Sequence, residues 1–140
     1  MKKIFTLFIL FITTILGAQE LSWKNAIDGN FTIDSITLND PNGEGNHINV
    51  SGLAGEWHVN MTFRFTNKLN TSDQGEYTAN AWAEKGSELL RTTVRGVWKK
   101  EGDHYSMKHF ENTTGGDQLL TTGTMDLQNK TYACKVRFLN

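Results

Sequence analysis

The chain has 140 residues, of which 14 are Lys or Arg and 15 are Asp or Glu, so its formal net charge is −1. A nucleic-acid-binding domain usually carries a clear excess of basic residues, and this balance argues against a nucleic-acid partner. The length is enough for one domain with a real core. The single cysteine, Cys134, cannot form an internal disulfide, which excludes a disulfide-stapled mini-domain.

The N-terminal segment has the layout of a secretory signal peptide. The positive start Met1–Lys3 is followed by an uncharged apolar run over residues 4–16, and small residues end the segment at Ala18. The apolar run is shorter than a membrane-spanning helix requires. We therefore expect residues 1–18 to be removed on export, and residues 19–140 to form a single β-barrel domain that is secreted or periplasmic.

Two weaker strands are predicted at the start of this domain, at about residues 31–38 and 46–52. The apolar phase of the first strand changes between Ile33 and Ile36, which indicates a β-bulge. The segment from Trp23 to Asp28 is compatible both with an edge strand and with a short helical turn.

Six stronger strands follow, and each alternates apolar and polar residues. In residues 56–66, Trp57, Met61 and Phe63 share one face, while polar residues such as His58 occupy the other. Alternation with a period of two residues is the pattern of a strand with one buried face, and it leaves little room for a helix. Five further strands of this kind are predicted at residues 76–84, 89–100, 104–111, 118–127 and 131–139.

The connections between these strands are short. Glu101-Gly102-Asp103 is typical of a tight hairpin turn, because glycine readily adopts a positive φ. About eight strands with such connections predict an all-β, antiparallel up-and-down meander. A closed barrel covers the apolar faces of the strands and removes the edges of the sheet, so we favour it. A two-sheet β-sandwich is the alternative, although sandwiches usually contain longer crossover connections.

The predicted inner face alternates large and small side chains. Burial is expected for Trp57, Phe63, Val94, Trp98, Met125, Val136 and Phe138. The small residues on the same face are Ala79, Ala81, Ala83, Gly96 and Gly123. This alternation indicates either an internal cavity for an apolar ligand or the close packing that fills a small barrel. The alanine-rich face would make a poor lipid-facing band, so an integral membrane barrel is not expected.

Two short motifs carry a resemblance to a known family. Gly55-Glu56-Trp57 opens a long amphipathic strand and resembles the first-strand signature of lipocalins and the wider calycin barrels. Gly96-Val97-Trp98 and the hairpin after it resemble small lipocalin-like domains exported by bacteria. The resemblance covers roughly residues 53–139 and implies a barrel that holds a small apolar ligand. It also implies that Arg137 packs across the Trp57 indole, whereas strict strand alternation places Arg137 on the outer face.

A ligand inside such a barrel would contact inward-facing side chains. The candidate ligand-binding residues are Trp57, Met61, Tyr77, Trp98, Met107, His109 and Met125. His109 is suited to hold the polar head of a ligand, and a hydrogen-bonded core histidine is the alternative interpretation. Cys134 faces inward between Tyr132 and Val136, which predicts a buried, unreactive thiol.

The sequence contains no recognisable catalytic or metal-binding motif. Its histidines lack metal-ligand spacing, and it has neither a nucleophile elbow nor a phosphate-binding loop. Glu56 and His58 share one strand face and are expected to be solvated rather than to act as metal ligands or as an acid–base pair. We therefore predict no catalytic residue, no cofactor and no metal, and we favour a binding protein over an enzyme.

The outer face predicts a second kind of site. Trp82 and Phe110 point outward, with Arg91 and Arg95 on the strand between them. Aromatic residues on a polar sheet face are typical of a sugar-stacking platform or a protein-binding patch, and also of a face covered by a terminal segment such as residues 19–30. Two functions are thus compatible with the sequence. The first is an exported binding protein that holds a small apolar or amphipathic molecule inside its barrel. The second is an extracytoplasmic module that binds glycan or protein on its outer face.

Overall fold

The computed structural model describes residues 25–39 and 45–139. The expected signal peptide and Trp23 lie outside the described residues. The described residues form eight strands, β1 (Ile27–Thr37), β2 (His47–Ala54), β3 (Trp57–Thr66), β4 (Gln74–Lys85), β5 (Glu88–Glu101), β6 (His104–Thr113), β7 (Gln118–Asp126) and β8 (Thr131–Phe138).

The strands form a closed barrel in which each strand pairs antiparallel with the next along the chain. β1 completes the ring by pairing with β8, in a register that places Ile27 opposite Val136 and Phe31 opposite Tyr132. The predicted all-β meander and closed barrel are therefore confirmed, and the sandwich alternative is wrong. We find that β8 does not close the barrel against the long strand β3. β1 and β2 separate β8 from β3.

β1 is longer than predicted and contains the expected bulge. Its pairing with β2 shifts register between Ile33 and Ser35, where the apolar phase changes. The strand begins at Ile27, so Ile27 and Asp28 belong to a paired strand rather than to a helical turn. The bulge allows Ile33 to stay buried while the end of β1 turns its side chains toward solvent.

Two-residue hairpin turns join three of the strand pairs, and each begins with a glycine. The φ angles of Gly55, Gly86 and Gly102 are +57°, +61° and +64°. Primed hairpin turns need a positive φ at this position, which explains the glycines and confirms the turn predicted at Gly102. The Gly55 and Gly86 turns and the β6–β7 connection lie at one end of the barrel, called here the β2–β3 end. The other four connections lie at the opposite end, called the β5–β6 end.

The core lies inside the barrel and contains most of the residues predicted for it. The fully buried ones are Phe63, Val94 and Met125. The half-buried ones, which pack against the core, are Trp57, Trp98 and Val136. Phe138 is 46 % exposed, so its predicted burial is wrong. It is the last residue of β8 and lies at the rim of the barrel, where no further strand residue covers it.

The arginine–tryptophan contact implied by the family resemblance is not found. Arg137 pairs with Leu120 across the β7–β8 ladder, and the alternation of β8 places it on the outer face. The cation over the Trp57 ring is the Nζ atom of Lys85, which lies 6.0 Å from the ring centroid. Lys85 reaches this position because it ends β4, the strand beside β3, and Trp57 begins β3.

Candidate functional site

A cavity of about 110 Å³ lies inside the barrel toward the β2–β3 end. Its wall is mainly apolar and includes Trp57 and Met61 from β3 and the small residues Ala81 and Ala83 from β4. Ala81 and Ala83 stand opposite Met61 and Val59 in the β3–β4 ladder. Because an alanine side chain ends at Cβ, this part of the wall leaves space that a larger side chain would fill.

The glycines on the inner face do not enlarge this cavity. A Cβ atom on Gly96 would lie 2.5 Å from Cζ of Tyr77, and one on Gly123 would lie 2.6 Å from Cε2 of Tyr132. The two tyrosine rings thus occupy the space that the glycines leave. This explains why the cavity is smaller than the run of small residues suggests.

A chain of buried polar side chains forms the floor of the cavity. The hydroxyl of Tyr77 lies 2.7 Å from Nδ1 of His109, and Nε2 of His109 lies 2.9 Å from Oε1 of Glu111. The hydroxyl of Thr121 donates to the same carboxylate oxygen at 2.5 Å. His109 and Glu111 are two residues apart on β6 and share its inner face, while Thr121 faces His109 from β7.

Gly96 makes this cluster possible. It pairs with Tyr77 on β4 and with His109 on β6, so it stands between the two side chains on β5. A side chain at Gly96 would separate the Tyr77 hydroxyl from the imidazole of His109. Without one, the Tyr77 and His109 rings meet edge to face with centroids 5.8 Å apart.

Tyr77 keeps its proton in this cluster. Burial, and then the charge of Glu111, raise the pKa of Tyr77 far above its ordinary value. A hydroxyl can donate or accept, so the contact between Tyr77 and Nδ1 of His109 is a hydrogen bond with either ring tautomer. A carboxylate oxygen only accepts, so Nε2 of His109 donates to Oε1 of Glu111. Both ring nitrogens of His109 therefore have partners within the protein.

Tyr132 also lines the cavity, and its hydroxyl is fully buried. It is 1 % exposed, and its ring stacks on Phe31 and meets the edge of Phe63. Its hydroxyl has no hydrogen-bond partner of good geometry among the described residues. The nearby Cys134 thiol is a weak hydrogen-bonding group. Burial raises the pKa of Tyr132, and it raises the pKa of Cys134 to about 12, so both groups stay protonated at neutral pH.

The structure divides the seven predicted ligand-binding residues among three places. Those that line the cavity are Trp57, Met61 and His109. Those that line a wider pocket of about 700 Å³ at the β5–β6 end are Trp98 and Met125. Those in the core are Met107, which is 0 % exposed, and Tyr77, which reaches the cavity floor through His109. The seven residues are thus too widely distributed to contact one small ligand together, and their role in ligand binding remains a prediction.

Three polar residues of the cavity were not predicted as site residues from the sequence, namely Glu111, Thr121 and Tyr132. Strand alternation contains the signal for Glu111, because it is the next inward position after His109 on β6. Charged residues are rarely buried, so a glutamate at this position is more readily assigned to the outer face of the strand. The meeting of Glu111 with Thr121 depends on the β6–β7 register, which the sequence does not show.

The described residues also test the metal interpretation of the surface pair Glu56 and His58. Glu56 forms an ion pair with Lys85 at 2.6 Å, in which both side chains are largely exposed. Between residues 25 and 139, leaving aside 40–44, no three His, Cys, Asp or Glu side chains are placed to hold a metal ion. None of the described residues forms a helix that is long and apolar enough to cross a membrane.

The outer face carries a separate groove across β1 to β6. Trp82 is 53 % exposed, and the β3–β4 and β4–β5 ladders place Asn60 and Arg91 directly beside it. Asn and Thr side chains supply most of the remaining lining of the groove. Phe110 is 60 % exposed on the same face but does not line the groove. The predicted outward orientation of both aromatic residues is confirmed.

Comparison of the chain with protein-family models, with curated protein sequences and with solved structures gives no match. The likeness to lipocalins thus consists of the closed antiparallel eight-stranded barrel and the Gly-x-Trp motifs. The two motifs have different structural roles. Gly55 occupies a turn position that needs a positive φ, whereas Gly96 lies within a strand and makes room for Tyr77.

Proposed function

We propose that this protein is an exported, lipocalin-like binding protein that holds a small apolar or amphipathic ligand in the cavity at the β2–β3 end. The observation that carries the proposal is a mainly apolar cavity, inside a closed barrel, whose floor is a buried polar cluster. Binding sites of this kind combine an apolar wall with a few polar groups that orient the ligand.

The size of the cavity restricts the ligand. An engineered apolar cavity of about 150 Å³ in another protein accommodates benzene, and the cavity here is about 110 Å³. The buried part of the ligand is therefore no larger than one small ring or a short alkyl chain. A longer ligand would extend toward the rim of the barrel, where Ile27 and Phe138 form part of the lining.

Toluene is a suitable first probe, and NMR chemical shifts measure its binding. Ala81→Leu places a larger side chain in the cavity wall, so we expect it to weaken toluene binding at least tenfold. Ala133→Leu adds the same atoms to an exposed position of β8 and is the matched control, with binding as in the wild type. Absence of toluene binding by the wild type, or equal binding by both variants, would contradict the proposal.

Export is part of this proposal and rests on the sequence of residues 1–18. The mature protein begins at or near Gln19 and is recovered from the periplasm or the medium. N-terminal sequencing of protein purified from its own source measures this directly. Retention of Met1 in the purified protein would contradict export. Native mass spectrometry of the same sample would also reveal a ligand that stays bound during purification.

The groove on the outer face supports a second candidate function, the binding of a glycan. An exposed indole offers a flat apolar surface to a sugar ring, and the neighbouring amide and hydroxyl groups of Asn60, Asn80 and Thr93 offer hydrogen bonds to sugar hydroxyls. A glycan array tests this function. Binding should be lost in Trp82→Ala and kept in Phe110→Ala, since Phe110 is similarly exposed but lies outside the groove.

A further inference from the structure

Charged residues are distributed unevenly over the outer face of the barrel. On β5 to β8, the cations at outward positions are Arg91, Arg95, Lys99, Lys108, Lys135 and Arg137. The acidic residues at outward positions of the same strands are Glu101 and Asp126, which both lie at the β5–β6 end. On β1 to β4 the balance is reversed, with Asp28, Asp34, Glu76 and Glu84 against Arg64. One half of the barrel is therefore cationic, although the formal net charge of the chain is −1.

Apolar side chains lie among these cations. Phe110 on β6 is exposed, and Arg95 of β5 stands directly beside it. On its other side Phe110 pairs with the half-buried Leu120 of β7, which pairs in turn with Arg137 of β8. Three strand spacings of about 4.8 Å separate Arg95 from Arg137, so the cations border an apolar centre about 14 Å across. The cationic face is defined here as Arg95, Val97, Lys99, Lys108, Phe110, Leu120 and Arg137.

The cations of this face are not neutralised by acidic residues of the chain. Among the residues that the structure describes, no Asp or Glu oxygen lies within 4.0 Å of a charged nitrogen of Arg95, Lys99 or Lys108. Lys108 is the diagonal neighbour of both Arg95 and Lys99 across the β5–β6 ladder, at a typical separation of about 7–8 Å. Because like charges at this distance repel each other, an anionic partner that contacts all three side chains would be stabilised.

The combination of charge and apolar surface restricts the partner. Val97 and Phe110 are exposed, and water contact with such side chains is unfavourable unless a partner covers them. A free phosphate or another small anion would neutralise the cations but leave these side chains in water. An anionic bilayer meets both needs, because its head groups attract Lys and Arg and the boundary below them accepts apolar side chains.

We infer that the cationic face docks on the surface of an anionic lipid membrane. Arg95, Lys99 and Lys108 contact the phosphate groups of the lipids, and Phe110 enters the boundary between head groups and acyl chains. The protein binds at the membrane surface and does not insert its strands. This inference goes beyond the proposed function and does not depend on it, since the cationic face shares no residue with the cavity.

Co-sedimentation of the full-length mature protein with lipid vesicles tests the inference. One set of vesicles contains equal parts of phosphatidylglycerol and phosphatidylcholine, and the other contains phosphatidylcholine alone. We expect the anionic vesicles to bind the protein at least tenfold more tightly than the neutral ones. Raising the salt concentration from about 0.1 M to 1 M shortens the screening length from about 10 Å to 3 Å, so it should weaken binding at least tenfold.

A pair of double variants identifies the face that binds. Each cation near an anionic membrane contributes a factor of about five to the binding constant, so Arg95→Gln with Lys108→Gln should weaken binding about 25-fold. Arg64→Gln with Lys68→Gln is the matched control. It removes the same charges from exposed positions outside the cationic face, and binding should stay within about twofold of the wild type.

A pair of single variants tests the apolar part of the face. Phe110→Ser should weaken vesicle binding about fivefold or more, because the aromatic ring no longer enters the lipid boundary. Leu53→Ser is the control, since Leu53 is also exposed but lies on β2, on the opposite side of the barrel. Far-ultraviolet circular dichroism should be the same for all variants, because the substituted side chains are exposed.

Four results would overturn the inference. The first is no binding to the anionic vesicles, and the second is equal binding to neutral and anionic vesicles. The third is an equal loss of binding in the two double variants, which would mean that net charge rather than the cationic face is responsible. The fourth is binding of soluble polyglutamate without binding of vesicles, which would assign the face to an acidic polypeptide. Selective loss in Arg95→Gln with Lys108→Gln and in Phe110→Ser supports the inference.

Discussion

Gly96 offers a direct test of how the barrel interior is packed. A Cβ atom at this position would lie 2.5 Å from the carbonyl oxygen of Lys108, 2.5 Å from Cζ of Tyr77 and 2.6 Å from Cβ of His109. The first and the last of these atoms belong to, or are attached directly to, the backbone of β6 and cannot rotate away. Gly96→Ala must therefore move β5 away from β6 and push the Tyr77 ring from its position.

The expected loss of stability can be worked out from these contacts. Over-packing of a core costs about 1–3 kcal/mol. Displacement of Tyr77 also breaks its hydrogen bond to His109 and leaves buried polar atoms unpaired, which costs about 1–3 kcal/mol. Alanine lowers the entropy of the unfolded chain, which offsets about 0.4–1 kcal/mol. We expect Gly96→Ala to lower the free energy of unfolding by about 3 kcal/mol.

Urea denaturation followed by tryptophan fluorescence measures this loss. Gly115→Ala is the matched control, because the nearest atom to its Cβ would be Cδ2 of Leu90 at an ordinary distance of 3.4 Å. The control should change the free energy of unfolding by less than about 0.5 kcal/mol, as is usual for surface substitutions. A loss below about 1 kcal/mol for Gly96→Ala would refute the packing of Tyr77 over Gly96 and the hydrogen bond that depends on it.

Three other predictions follow from burial and backbone geometry. Phe63→Ala should lower the free energy of unfolding by about 3–5 kcal/mol, because Phe63 is 0 % exposed. Phe138→Ala at the rim should lower it by less than about 1 kcal/mol. Equal losses in urea denaturation would show that Phe138 does not lie at the rim of the barrel. Burial raises the pKa of Cys134 to about 12, so iodoacetamide should not alkylate this thiol at pH 8 in the folded protein but should alkylate it in urea. Mass spectrometry measures the difference. Rapid alkylation of the folded protein would contradict the burial of Cys134. Gly102→Ala should lower the free energy of unfolding by about 1–2 kcal/mol, because the φ angle of this residue is +64°. No atom lies within 4 Å of the added Cβ, so the loss comes from backbone strain alone. An unchanged melting temperature would mean that the turn has a different conformation.

The fold class and most of the strands are predictable from the amino-acid sequence. Alternation with a period of two residues is a local property, and a local pattern is enough to place a strand and its buried face. The strands predicted at 104–111 and 131–139 lie within two residues of β6 and β8, and the bulge after Ile33 was visible as a change of phase. The hairpin at Gly102 was also predictable, because its geometry requires a residue that tolerates a positive φ.

The closure of the barrel and the contacts in its interior depend on long-range pairing. Besides β7, β8 pairs with β1, a strand about 100 residues earlier, and no local pattern specifies such a pairing. The same holds for the floor of the cavity. Tyr77 on β4 and His109 on β6 meet across Gly96, and Thr121 joins them from β7. Alternation shows only that each of these side chains faces inward. Which of them meet depends on the register between strands and on the closure of the ring, and these are long-range properties of the folded chain.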